Sequence, residues 1–298
     1  MSSRDAGWAA MVDEIAPGAT LRRVRRLGGG LATDTFAVDL DGSGIRRLVV
    51  KRFKLGDDRA PIEWDRLSFA QRVDAPVPEP VAVDADGRWF GAAAIVMTRL
   101  PGRADLAPVD VDTWLLELAG TMARVHETST RGAGSAIRWL PHVEAWEPDT
   151  QLRSTPLSDR AVDAIERYLP RATWQSVLTH GDFHPGNILW SWRALSGVVD
   201  WNAARLGPRW YEVAYLRADA ALLLGGDVAD RFARSYSDIV AQPPVDLPLF
   251  DLICGLRARQ WCGAWLGAYR EQGLVATRRQ FAARVTPFLQ RALAELGV

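Results

Sequence analysis

The sequence predicts an α+β chain in two unequal parts: a small, antiparallel β-rich unit over residues 1–98 and a larger, mainly helical one over 104–298. Three observations carry this. Short runs of β-forming residues, separated by Gly-rich turns, crowd the first hundred positions. Pro101 and Gly102 then break the chain. Beyond them apolar residues recur at helical spacing to the C-terminus.

Taken in order, TLRRVRRL (20–27), TDTFAVDL (33–40) and IRRLVVKRF (45–53) read as strands, with DGSG between the last two as a hairpin signal. One helix is expected here, in GDDRAPIEWDRLSFAQRV. Asp57 or Asp58 is its candidate N-cap, Pro61 falls in its first turn, and Ile62, Leu67, Ala70 and Val73 share a face. Prolines keep APVPEPVAVD extended, and FGAAAIVMTRL reads as a buried strand. Past the break, Trp114, Leu115, Leu118, Met122 and Val125 stripe one helix, and SDRAVDAIERYL forms another from a cap at Ser158 or Asp159. Further helices are expected over 209–224, 227–240, 248–271 and 275–296. Between these groups, NILW and GVVDW read as paired strands joined by SWRALSG.

Composition narrows the function classes. The 298 residues carry 36 basic and 36 acidic side chains, so the charge gives no reason to expect nucleic acid or a membrane surface as partner. The N-terminus lacks a basic head followed by an apolar core, and no run approaches the roughly 18–20 apolar residues of a membrane span. A cytoplasmic location is expected. Cys254 and Cys262 lie eight apart on a predicted helix, too far for a disulfide, and two thiols alone make a poor zinc site; they read as core residues. Lysine occurs only at Lys51 and Lys54, so a lysine at a meaningful position is informative.

The densest polar stretch is LTHGDFHPGNILW, residues 178–190. Its His180, Asp182 and His184 invite a metallohydrolase reading, since imidazole and carboxylate suit zinc or iron. Against this, His126 and His142 are the other histidines and form no second cluster. The alternative starts from Asp182 and Asn187, five positions apart. Phosphoryl-transfer enzymes use Asp-x-x-x-x-Asn so that the Asp takes a hydroxyl proton and the Asn amide oxygen helps hold Mg²⁺, a hard cation that prefers oxygen. A second acidic ligand is then required, and a hairpin would return Asp200 to the vicinity of Asn187.

HGDFHPGNILW followed by GVVDWNAARLGPRWYEVAYL resembles the aminoglycoside phosphotransferase family, kinase-like small-molecule kinases that include choline, homoserine and fructosamine kinases. The resemblance covers most of the chain and weakens toward the C-terminus. It implies a protein-kinase-like bilobal fold with a hinge at about 97–103 and transfer of the ATP or GTP γ-phosphate to a small hydroxyl compound: an antibiotic, a sugar or an amino alcohol. Asp182 would be the base, and Asn187 and Asp200 would hold Mg²⁺. Gly28, Gly29, Gly30 and Lys51 would hold phosphates, with Glu63 pairing Lys51, and the backbone of Met97, Thr98 and Arg99 would meet the purine. Lys54, the rival lysine, falls at the strand end and points to the opposite face. The loop GGGLATD departs from G-x-G-x-x-G, and Glu212 stands where the family has a bracing Asp; the longer carboxylate is expected to do the same job. His180 is expected to bond the loop backbone near Asp200, His184 to be a brace or substrate-rim residue, and His126 to pack. Most tryptophans of the helical part, Trp139, Trp146, Trp190, Trp192, Trp201, Trp210, Trp261 and Trp265, read as core. The alternatives are a catalytically silent nucleotide-binding protein of the same fold and the metallohydrolase.

Overall fold

The computed structural model describes residues 3–27, 33–42, 44, 47–138 and 152–298, so Gly28, Gly29, Gly30, Trp139, His142 and Trp146 lie outside the described residues. The first part holds a five-stranded antiparallel sheet of β1 (Thr20–Arg26), β2 (Asp34–Asp41), β3 (Arg47–Arg52), β4 (Pro80–Asp84) and β5 (Ala94–Thr98), in the order β1-β2-β3-β5-β4. Because strand side chains alternate, β3 sends Leu48 and Val50 to one face and Val49 and Lys51 to the other.

Two helices, not one, accompany this sheet. The unforeseen one, α1 (Ser3–Ile15), buries Trp8, Met11 and Val12 against Val38, Leu40, Leu48 and Val50 on the face away from Lys51. Its i, i+3, i+4 spacing was present in the sequence, but Ala6, Ala9, Ala10 and Ile15 spread apolar residues around the helix and blur the stripe. The expected helix, α2 (Ala60–Ala70), packs Leu67, Phe69 and Ala70 into the large core shared with the C-terminal part. Neither Asp57 nor Asp58 caps it: Arg59 takes that position, and Asp57 instead accepts from the Arg59 backbone N–H at 3.1 Å and Nε at 2.8 Å.

After β6 (Arg103–Ala104), α3 (Val111–Glu127) begins at Asp110, whose carboxylate accepts from Thr113 N–H at 3.1 Å. The next helix, α4 (Pro156–Tyr168), starts a turn earlier than the predicted Ser158 or Asp159. Thr155 is the cap, and Pro156 suits a first turn that needs no N–H. Two small sheets follow. The strands β7 (Ser176–Thr179) and β10 (Arg205–Pro208) pair with each other, while β8 (Ile188–Ser191) lies between β6 and β9 (Ala194–Val198). The β8–β9 hairpin forms as expected but turns more tightly, on Trp192 and Arg193 with φ of 52° and 66°. Both residues adopt the left-handed backbone of a two-residue hairpin turn without the usual Asn-Gly. The remainder is α5 (Arg209–Leu224), α6 (Gly226–Val240), α7 (Leu247–Glu271) and α8 (Arg278–Leu296). Nearly every side of α5 is buried, which makes it the axis of the helical part. Cys254 and Cys262 are both buried thiols, and no helix among the described residues is long and apolar enough to cross a membrane.

Candidate active site

Residues 180–187 link β7 to β8 and close with a 3-10 turn at Pro185–Asn187. Gly181 has φ +81°, and a Cβ there would lie 2.1 Å from the Ala203 carbonyl oxygen, so the loop requires glycine at this point. The loop backbone is held from α5. Glu212 accepts from Gly181 N–H at 2.6 Å through Oε1 and from His180 N–H at 3.2 Å through Oε2. The longer carboxylate thus makes the brace expected of it.

Glu212 is itself fixed. Arg209 donates to the Tyr236 hydroxyl at 2.9 Å, so that hydroxyl donates to His126 Nδ1 at 2.6 Å and His126 Nε2 donates to Glu212 at 2.9 Å. His126 is therefore more than packing. It completes a buried polar chain from α6 to the loop. Burial pushes its pKa down, consistent with a neutral ring that donates one proton.

His180 meets its expectation, donating from Nε2 to the Val199 carbonyl at 3.0 Å, one residue before Asp200, while Nδ1 accepts from Asp182 N–H at 3.3 Å. Both ring nitrogens are engaged and the ring is fully buried, so His180 is not free to ligate a metal. Among the described residues no group of three or more His, Cys, Asp and Glu has metal-holding geometry.

The Asp182 carboxylate is held on both oxygens. Tyr215 donates to Oδ1 at 2.7 Å, Asn187 Nδ2 to Oδ2 at 3.1 Å, and His184 Nε2 lies 3.7 Å from Oδ2. Burial alone would raise this carboxyl, but the His184 ring and the Tyr215 hydroxyl outweigh it and keep Asp182 well below the usual carboxylate range. His184 is anchored in turn: Nδ1 lies 3.1 Å from both Gly186 N and the Tyr269 hydroxyl, and that hydroxyl donates to Asp219 at 2.6 Å. Burial lowers the His184 pKa, yet Asp182 and the more distant Asp219 and Asp200 push it up to about 9. Glu212, Tyr215 and Asp219, at i, i+3 and i+7, thus form one polar stripe of α5 that faces the loop. Tyr215, Asp219 and Tyr269 were absent from the sequence-derived set. The signal was Glu-x-x-Tyr-x-x-x-Asp on one face of a predicted helix whose other residues, Arg209 and Arg217 apart, are largely apolar.

Asn187 gives both amide protons toward Asp182, to its carbonyl at 3.0 Å and its carboxylate, which leaves the amide oxygen without a donor among the described residues. The hairpin does bring Asp200 back: Val199 N–H donates to the Asn187 carbonyl at 2.9 Å, and Asp200 follows at φ 67°. From the N-terminal sheet, Lys51 reaches Asp200 Oδ1 at 2.8 Å and also bonds Glu63 of α2. Burial would lower the Lys51 pKa, but these two carboxylates outweigh it and hold the ammonium charged. Lys54 is exposed. A free amide oxygen beside a carboxylate is a hard-oxygen set that fits Mg²⁺ rather than zinc.

Lys51, Glu63, Asn187 and Asp200 line one cleft of about 620 Å³, whose walls also include Val49, Met97 and Leu189. Met97, Thr98 and Arg99 border it, but Thr98 N–H is taken by the Glu79 carbonyl at 2.9 Å and Arg99 N–H by the Arg47 carbonyl at 3.0 Å. Met97 pairs with Val49 in the sheet. Their N–H groups are thus committed to the fold, and Leu100 is the next cleft-lining residue along the chain that carries one. Trp190, Trp201 and Trp210 are buried as expected, whereas Trp192 and Trp261 are exposed.

Comparison with known proteins bears on the family and the fold. The phosphotransferase enzyme family (APH) matches residues 23–247. Probable acyl-CoA dehydrogenase IBR3 of Arabidopsis thaliana is 24% identical over 230 residues, covering 65% of this chain and 27% of that protein. Homoserine kinase of Beijerinckia indica subsp. indica is 31% identical over 154 residues, 46% of either chain. The chain therefore spans between a quarter and a half of these curated relatives' lengths. Among solved structures, a thermostable mutant of aminoglycoside phosphotransferase APH(4)-Ia, in ternary complex with AMP-PNP and hygromycin B, aligns with TM-score 0.66 and 16% identity, over 96% of this chain and 97% of that one. Macrolide 2'-phosphotransferase MphH from Brachybacterium faecium aligns with TM-score 0.63 and 21% identity, over 93% and 98%. At these identities the two structures show a shared kinase-like fold, with its antiparallel sheet followed by a larger helical part.

Proposed function

The chain belongs to the phosphotransferase enzyme family, and from that premise we propose that it transfers the γ-phosphate of ATP or GTP to a hydroxyl of a small molecule, with Asp182 as the base. The observation that supports this most is convergence. Lys51 from β3, Asn187 from the loop and Asp200 after β9 meet at one cleft, and Asp182 is bonded directly to Asn187.

In this reading residues 1–98 bind the nucleotide, 97–103 act as the hinge, and 104–298 present the acceptor. The Lys51 ammonium, kept charged by Glu63 and Asp200, binds the phosphates, with the Gly28, Gly29 and Gly30 backbone as its partner. Because the Thr98 and Arg99 N–H groups are already used, the purine takes its backbone hydrogen bond from Leu100 and its remaining contacts from nearby carbonyls. Asn187 and Asp200 would hold Mg²⁺, which when bound neutralises charge on the phosphates. The acceptor hydroxyl hydrogen-bonds Asp182, its oxygen forms the new bond to phosphorus, the bond from phosphorus to the nucleoside diphosphate breaks, and the proton passes to Asp182. The transition state is loose, so positioning and charge neutralisation supply most of the acceleration.

The relatives' own names span aminoglycoside, macrolide, homoserine and acyl-CoA chemistry, so the acceptor is defined here as a small hydroxyl compound available in the cytoplasm. The intact set of Lys51, Asp182, Asn187 and Asp200 argues against a silent nucleotide binder. Nucleotide consumption should be screened with Mg²⁺ across aminoglycosides, macrolides, amino alcohols, homoserine, sugars and hydroxyacyl-CoA thioesters. Asp182→Asn is expected to abolish turnover while nucleotide binding, followed by titration calorimetry, stays near wild type. Near-normal turnover in that variant would remove Asp182 from the role.

A further inference from the structure

We propose that in the free protein the Tyr215 hydroxyl occupies the seat on Asp182 that the acceptor hydroxyl takes during transfer, and thereby denies the base to water. This rests on the phosphotransferase reading and adds a device that prevents wasteful nucleotide hydrolysis.

The argument begins with the two oxygens of Asp182. Oδ2 faces Asn187 Nδ2 at 3.1 Å and His184 Nε2 at 3.7 Å, and Asn187 itself lines the cleft. Among the described residues Oδ1 has one donor, the Tyr215 hydroxyl at 2.7 Å. A general base must hold the hydroxyl it deprotonates at about 2.6–3.2 Å. The phenol therefore makes the contact that an alcohol acceptor has to make, at the same kind of distance and with the same polarity.

Tyr215 is well placed to hold that seat yet yield it. It projects from α5 between Glu212 and Asp219, both tied into the loop network, so its backbone is fixed relative to Asp182. Its ring meets the edge of Trp265 on α7, with centroids 6.0 Å apart and planes at 66°. The phenol has no hydrogen-bond partner among the described residues besides Asp182, so a side-chain rotation breaks one bond only. Burial pushes its pKa well above the ordinary phenol value, so it remains a donor.

Water is small enough to reach the Asp182 side chain, which is 32% exposed. If it used the base, its oxygen would bond to the γ-phosphorus, the bond to the diphosphate would break with its electron pair leaving on the diphosphate, and one water proton would pass to Asp182. The phenol stands against this by a hydrogen bond to a charged group, which a cognate acceptor replaces in kind but a water molecule must displace without other contacts.

The test is acceptor-free, magnesium-dependent nucleotide hydrolysis by the full chain, compared for wild type, Tyr215→Phe, Tyr215→Leu and Tyr215→Phe combined with Asp182→Asn. Nucleotide affinity and thermal unfolding serve as controls for folding. Both single variants are expected to raise hydrolysis roughly tenfold, the kinetic equivalent of losing a hydrogen bond to a charged group. Adding Asp182→Asn is expected to remove that gain. Unchanged or lower hydrolysis in the folded, nucleotide-binding variants of an active enzyme overturns the proposal, as does a gain that survives Asp182→Asn. A wild type that consumes no nucleotide with any acceptor defeats the phosphotransferase reading first, and this inference with it.

Discussion

Asp219 is a fully buried carboxylate with a Tyr269 hydroxyl on one oxygen and the His184 ring beyond it, and burial pushes its pKa up to about 6. The folded protein therefore binds its proton more tightly than the unfolded chain between pH 3.8 and about 6, so this group's contribution to stability falls as pH rises through that window. Asp219→Asn cannot titrate. The variant is expected to gain on wild type as pH increases across the window, measured by urea unfolding on either side of it. A difference independent of pH would show that folding does not raise the Asp219 pKa. The same scale explains Glu212. Its added methylene lets one carboxylate accept from two successive loop N–H groups while also meeting His126, so replacing the family's Asp keeps the brace.

At the scale of elements, α5 organises the helical part. One stripe, Glu212, Tyr215 and Asp219, serves the loop, while Arg217 on another side joins α7. Arg217 Nε and Nη2 reach Asp251 at 3.0 and 2.9 Å, Nη2 also meets Asp230 at 3.2 Å, and Nη1 bonds the Ala229 carbonyl at 3.1 Å. Breaking one side of such a buried pair leaves the other charge uncompensated. Arg217→Met is expected to cost about 3–5 kcal/mol in chemical denaturation, since among the described residues Arg217 is the cation paired with Asp251. A loss below about 1 kcal/mol would show the pair to be dispensable. Element prediction failed in a consistent way. At α2 and α4 the structure begins the helix at Arg59 and Thr155, not at the expected Asp57 or Asp58 and Ser158 or Asp159. In the fold, Asp57 was drawn to Arg59, and Pro156 moved the α4 start back to Thr155. Local chemistry offered several equivalent starts, and packing of the helix chose one.

Across the whole molecule, one lysine spans the cleft. Lys51 bonds Glu63 within the N-terminal part and Asp200 of the C-terminal part, 149 positions away in sequence. Lys51→Met removes the charge proposed to bind the phosphates and leaves the Glu63 and Asp200 carboxylates without it. Turnover is expected to fall by roughly a hundredfold or more, as when a preorganised electrostatic contact is lost. Nucleotide affinity should weaken with it, and steady-state kinetics alongside nucleotide titration read both. Retained affinity and turnover would point to Lys54 or to the loop at Gly28–Gly30 as the phosphate holder.

By itself the sequence determined the order of sheet and helices and the spacing of Asp182, Asn187 and Asp200, because these depend on periodicity, turn chemistry and residues close together in the chain. The paired strands that return Asp200 to Asn187 belong to the same local logic. Only the tertiary structure decided which partners met. Tyr215 reached Asp182 from 33 positions away and His126 reached Glu212 from 86, while the Thr98 and Arg99 N–H groups were spent on the sheet. Hydrogen bonds between distant residues leave no pattern in a single sequence. They exist because burying polar groups in one core obliges each to find a partner in space.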